Sequence, residues 1–319
     1  MSHTGVGSIT LGGGFSRVGR RFGLSLDNVL SVDVIAADGE FRRASAEENQ
    51  DLYWGVRGGG GNFGVATSFD FQLHPMDRKV ITASFIFPFS DAKNVMNFFG
   101  EYADNAPDYM DVTGGISASP GEDPVALIVI AYSGPHDKAE ETFAPIRKVG
   151  TVIMEDVKVM DYVALQKSGD IDDPRANGSY MKTGFTGVFT SKLVDDFVDT
   201  FEPNPERATR IIFQQSGGAI GRIAADATAF PHRDSKHNML SIVGWKMGMD
   251  PSQHIAYIKN QWKTLEPHTI GFYTNDYFAE TQAEMNANYR GNYERLVKLK
   301  NQYDPTNLFR LNSNVPPTA

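Results

Sequence analysis

The chain has 319 residues, 41% hydrophobic and 22% charged, with a formal net charge of −9 and no cysteine. That length allows two domains with a real core, and the acidic balance argues against nucleic acid or an anionic membrane as partner. Without thiols, disulfides, a cysteine nucleophile and thiolate metal sites are excluded.

The elements follow in chain order. LGGGFSRVGRRFGLSLDN (11–28) is too rich in glycine for a helix. Residues 29–44 predict a β-hairpin, with Asp38-Gly39 as a two-residue turn. Ser45 and Glu48 form a capping box before a helix that Gly58 stops. In VATSFDFQLHP, Val65, Thr67, Phe69, Phe71 and Leu73 share one strand face until Pro75. Further strands are expected in ITASFIFPF and VALIVIAY, near 209–214 and at 237–246. Helices are expected at 91–106, 137–149, 191–201, 252–265 and 292–303, followed by an extended tail. This mixture predicts an α+β fold, one antiparallel sheet backed by helices.

Gly59-Gly60-Gly61-Asn62-Phe63-Gly64 satisfies GxGxxG, but a helix precedes it and a strand follows, the reverse of a dinucleotide loop. The 7 histidines show no HExxH and no clustered spacing, so no metal site is expected. No apolar run approaches the roughly 18 residues of a membrane span. MSHTGVGS carries no signal-peptide pattern. The expectation is a cytoplasmic protein acting on a small molecule, with no nucleic-acid or membrane partner.

Four segments in order, GVGSITLGGGFSRVGRRFGLSLDNVLSVDVIAADGE, DLYWGVRGGGGNFGV, ATAFPHRD and NYERLVKLKNQYDPTNLFRLNSNVPP, resemble the berberine-bridge-enzyme-like FAD-linked oxidoreductases, flavoproteins of the vanillyl-alcohol-oxidase (PCMH) type. The resemblance implies a second FAD-binding subdomain at 1–75, a substrate domain at 76–285, and a C-terminal helix and tail at 286–319 returning to the FAD domain. It implies oxidation of an alcohol, sugar hydroxyl or amine-bearing carbon, with hydride passing to flavin and electrons on to oxygen. Relatives usually carry an earlier FAD subdomain, and a covalent flavin tether on histidine or cysteine. Neither has a counterpart in these residues, so the expectation is an N-terminally incomplete form with FAD bound non-covalently or not at all. Surface left open by that subdomain points to a homo-oligomer or a covering partner chain. A flavin-independent lyase, cyclase or small-molecule-binding protein is the alternative.

By the same resemblance, Gly7, Gly12, Gly13, Gly14, Asn28, Val34, Asn312 and Asn314 contact the cofactor. Tyr273, Asn275 and His232 bind substrate, although His232 also reads as a structural hydrogen-bonder. Asn238, on a pocket-lining strand, stands where relatives often carry an active-site acid or amide, and is a candidate catalytic residue that can hydrogen-bond but cannot act as a base near neutral pH. The family's Tyr-x-Asn-Tyr pattern, placed on Tyr273 and Asn275, puts Asp276 where the base tyrosine belongs, with Tyr277 next to it. Asp276 is then expected to face the pocket from the sheet, near Asn238.

Overall fold

A computed structural model describes residues 4–170, 176–276, 281–311 and 313–318. The chain divides into a terminal unit (4–75, 218–234 and 273–319) and a central unit (76–217 and 235–272). Two departures from the expected division follow: 218–234 folds with the terminal segments, and the return begins at Tyr273 instead of after residue 285.

In the terminal unit, helix Val6–Gly12 leads to a three-stranded antiparallel sheet of β1 (Val29–Ile35), β2 (Phe41–Ser45) and β3 (Val65–Phe71), in the order β2-β1-β3. The hairpin is present, but its turn is longer than two residues. Ala36 N–H donates to Glu40 C=O, leaving Ala37, Asp38 and Gly39 as the loop, with Gly39 at φ +81°. The Ser45–Glu48 pair is no helix cap. Ser45 Oγ accepts the Glu48 N–H, which closes a serine turn, and the helix Gln50–Val56 starts after Asn49. On β3 the expected apolar face is incomplete, for Val65 and Leu73 are exposed. Helix Tyr293–Tyr303 buries Leu296 and Leu299, and a Cβ on Gly55 would lie 2.8 Å from Leu299, so that glycine lets the two helices touch.

The central unit is a seven-stranded antiparallel sheet of β4 (Lys79–Pro88), β5 (Met110–Ala118), β6 (Val125–Tyr132), β7 (Met154–Asp161), β8 (Asn177–Thr186), β9 (Arg207–Gln215) and β10 (His237–Lys246). Their order is β7-β4-β6-β5-β9-β10-β8. Helices Ala92–Asp104, Ser191–Asp199 and Ser252–Leu265 share one core with the sheet, built around Phe85, Phe99, Ile128, Phe197 and Phe213. Strands β5, β7 and β8 were not expected. Gly114-Gly115 interrupts the apolar pattern of β5, and the space a Gly114 side chain would need is filled by the Phe99 ring. The helix expected at 137–149 is broken: Ala139–Phe143 is helical, and Pro145 precedes a single 3-10 turn. Ala139, Phe143 and Ile146 are nevertheless buried, as their spacing predicted. The α+β class holds.

Candidate functional site

The glycine run closes helix Val6–Gly12 in the terminal unit. Gly13 and Gly14 adopt φ +149° and +97°, open to glycine and costly for other residues. Leu11 C=O accepts N–H groups from both Gly58 and Gly60, tying the two glycine runs together. Onto this turn sit two residues 259 or more positions away. The Tyr273 hydroxyl accepts the Gly14 N–H at 2.8 Å. Asn275 Nδ2 donates to that hydroxyl at 2.7 Å and to Ile9 C=O at 2.9 Å. A Cβ on Gly12 would fall 2.2 Å from Asn275 Oδ1, and one on Gly13 2.8 Å from the Tyr273 ring. One on Gly14 would fall 2.3 Å from Ser25 Cβ. The space that side chains would occupy is thus filled by this chain's own residues. Burial pushes the Tyr273 phenol up to about 12, against the opposing pull of the Gly14 N–H and the Asn275 amide. Asp276 closes the turn through its N–H to Tyr273 C=O and is half-buried.

The tail is anchored by residues the sequence did not single out. Asn62 is fully buried. Its Nδ2 donates to Gly59 C=O and Ser313 C=O, and its Oδ1 accepts the Val315 N–H. One amide therefore joins the second glycine run to the tail. Lys300 and Asp304, both fully buried, form an ion pair at 2.6 Å. The ammonium also donates to Asn62 C=O and Phe309 C=O, each at 2.9 Å, so all three protons are used. The carboxylate accepts the N–H groups of Leu308 and Phe309. Burial alone would raise the Asp304 carboxyl, but Lys300 and these two N–H groups outweigh it and hold it below the usual carboxylate value. Asn314, on the tail so anchored, has a buried Oδ1 with no hydrogen-bond partner among the described residues.

In the segment Phe230–Arg233, Arg233 forms a bidentate pair with Asp27, both bonds 2.8 Å and both side chains almost wholly buried. His232 is 1% exposed, and its Nε2 lies 2.9 Å from Asn288 Oδ1. Burial, with the Arg290 charge, depresses the ring from 6.5 to about 3, so it is neutral in the folded state. The unfolded chain takes up the proton first, so this contribution is complete above about pH 6.5 and is lost as pH falls toward 3. A stability loss of about 2 kcal/mol is expected by pH 5, before carboxylates titrate. Urea unfolding at pH 7, 6 and 5 should show that slope in the parent and a flat profile in His232→Gln. Equal slopes in both would assign the proton elsewhere.

In the central unit, Asn238 lies on the sheet face away from the helical core, in a row with Gln214 and Thr113. Asn238 Nδ2 donates to Gln214 Oε1 at 3.2 Å. The next row on this face is Leu127, Gly115, Ile212, Leu240 and Thr183.

Of the other expected residues, Gly7 sits on its helix where a Cβ would touch the Phe69 ring. Both amide atoms of Asn28 are used, on Phe22 C=O, Leu24 C=O and His74. Val34 is a buried β1 residue. Tyr277 and Asn312 lie outside the described residues. Asp276 is on a turn of the terminal unit and not on the sheet that carries Asn238, which corrects the expected common sheet.

The family model for berberine and berberine-like proteins matches residues 273–316, the segment holding the Tyr273–Asp276 turn, the ion pair and the tail. A FAD-linked oxidoreductase of Dictyostelium discoideum is 28% identical over 99% of this chain and 69% of its own length. The (R)-6-hydroxynicotine oxidase of Paenarthrobacter nicotinovorans is 26% identical over 99% and 71%. These similarities are to the berberine-bridge-enzyme-like FAD-linked oxidoreductases. The chain's fold is shared with solved members. Berberine-bridge-enzyme-like protein 28 of Arabidopsis thaliana superposes with a TM-score of 0.86 at 20% identity, covering 99% of this chain and 72% of that one. Xylooligosaccharide oxidase of Myceliophthora thermophila gives 0.84 at 24%, with the same coverage. Among the described residues, no helix is long and apolar enough to cross a membrane, and no group of three or more His, Asp or Glu could hold a metal.

Proposed function

We propose that this chain takes part in the FAD-dependent oxidation of a small molecule at an alcohol, sugar hydroxyl or amine-bearing carbon. Relatives named for xylooligosaccharide and 6-hydroxynicotine oxidation support that substrate range. Gly7, the Gly12–Gly14 backbone, Asn28, Val34, Asn312 and Asn314 would hold the cofactor without a cysteinyl tether, since the chain has no cysteine. The observation that carries this reading is Asn314, a buried amide oxygen with no partner among the described residues, on a tail that a buried ion pair immobilises. An unpaired buried acceptor is costly unless a ligand donor meets it, and the N–H on a flavin ring edge fits. When bound, the flavin supplies the two-electron acceptor. The chain supplies position and proton transfer: Tyr273 and Asn275 seat the glycine turn, and Asp276 takes the proton from the substrate.

Titrating FAD into the purified protein tests this, with quenching of flavin fluorescence as readout. Saturable binding is expected, weakened roughly tenfold in Asn314→Leu, about one buried hydrogen bond. Absence of binding, or binding unchanged in that variant, would remove the reading.

A further inference from the structure

Strand β7 is one edge of the central sheet, and no strand among the described residues pairs with its outer side. It pairs with β4 in unbroken register from Lys79↔Asp161 to Ile86↔Met154. It contains no proline and no glycine, and its pairing with β4 shows no register shift between Met154 and Asp161. Met154 through Val159 are all exposed, Met154 at 60%, Val157 at 39% and Val159 at 56%. Long, regular, partly apolar edges template pairing with another strand unless they are blunted.

The direction of its free backbone groups follows from one bond. Tyr162 N–H donates inward to Arg78 C=O at 2.8 Å, one place beyond the β4 register. With a period of two, Met154, Asp156, Lys158 and Met160 turn their N–H and C=O toward β4, whereas Glu155, Val157 and Val159 turn theirs outward. Two such edges can bond antiparallel only where outward-facing residues meet outward-facing residues. A two-fold centred on Asp156 sets that carboxylate against its own copy. One centred on Lys158 sets ammonium against ammonium and Glu155 against Asp161. One centred on Val157 sets Asp156 opposite the second copy's Lys158 twice over and Met154 opposite Met160 twice over, with Glu155 facing Val159. Like charges directly opposite destabilise a strand pair and opposite charges stabilise it. Of the registers that bring outward-facing residues of β7 together, only the Val157-centred one both avoids like-charge pairs and forms opposite-charge pairs; a centre on Val159 forms neither.

We propose that this chain forms a two-fold homodimer through β7, paired antiparallel about Val157, so that two central sheets join into one. The contact is isologous and closes at two copies. Sedimentation of the full chain over a wide concentration range tests it, with a mass of two chains expected. Val157→Pro deletes an outward N–H at the axis and spares the ladder to β4, a placement edge strands tolerate. It should give a folded monomer with the parent's circular dichroism spectrum and an unfolding midpoint that no longer depends on protein concentration. Asp156→Lys alone and Lys158→Asp alone should each weaken association about tenfold, and the two combined should restore it. A parent that stays monomeric throughout, or a dimer unmoved by Val157→Pro, would overturn the proposal, as would a double charge reversal that fails to restore association.

Discussion

Asp276→Asn is expected to lower turnover of the FAD-loaded chain by about 10²–10⁴-fold, the usual value of a positioned general base. The proposed base role rests on a contrast between Tyr273 and Asp276 within one turn. Tyr273 is unsuited to accept a proton near neutral pH. Its phenol is pushed up to about 12 by burial, and its oxygen already accepts from the Gly14 N–H and from Asn275. A carboxylate with a reference value near 3.9 is ionised at that pH. Asp276 is half-buried, so it retains access while leaving bulk solvent behind in part. The loss should appear in kcat with KM little changed, because the missing step is proton transfer and not binding. Oxygen uptake on oligosaccharides such as xylobiose and on 6-hydroxynicotine provides the assay. If Asp276→Asn keeps parental turnover and Tyr277→Phe loses the larger factor, the base is the next residue along. If neither variant loses activity, the turn has no part in the chemistry.

Lys300→Met is expected to destabilise the chain by about 3–5 kcal/mol, the cost of leaving one member of a buried ion pair uncompensated. Each of the three ammonium protons has an acceptor, so the variant strands the Asp304 carboxylate and frees two backbone carbonyls together. The double variant Lys300→Met/Asp304→Leu should recover part of that loss, because removing both charges removes the desolvation penalty as well. Urea unfolding of the four members of the cycle checks this; a single variant within about 0.5 kcal/mol of the parent, the ordinary surface range, would contradict it. Hydrogen exchange at 308–311 and 313–318 should accelerate in Lys300→Met, since Leu308, Phe309 and Val315 are tethered through this pair and Asn62. FAD affinity should fall in parallel, because Asn314 lies on the freed segment.

Much of the fold was legible because the signals are local. Leu193, Val194, Phe197 and Val198 recur at helical spacing, and all are buried. The hairpin was readable from Asp38-Gly39, although its loop length was set by the bond between Ala36 and Glu40. Three strands of the central sheet were not legible. The pattern of β5 is broken by glycines whose space an aromatic ring fills from a helix, and β7 carries charge on both faces because it is an edge.

The candidate site divides along the same line. The sequence by itself showed that the glycines at 12–14 and 58–61 permit positive φ and close backbone approach, since glycine has no side chain to clash. It also placed Tyr273, Asn275 and Asp276 in one short segment. Only the tertiary structure decided what approaches the first glycine run, namely Asn275, Tyr273 and Ser25. Lys300 and Asp304 sit four apart and read as a solvated helix pair, the common fate of such a spacing. Asn62 reads as one more polar residue in a loop. Their burial depends on residues 238 to 253 positions away in sequence. Periodicity reports which face of an element is apolar, but it carries no information about which distant backbone groups will need a charge or an amide to satisfy them once water is excluded.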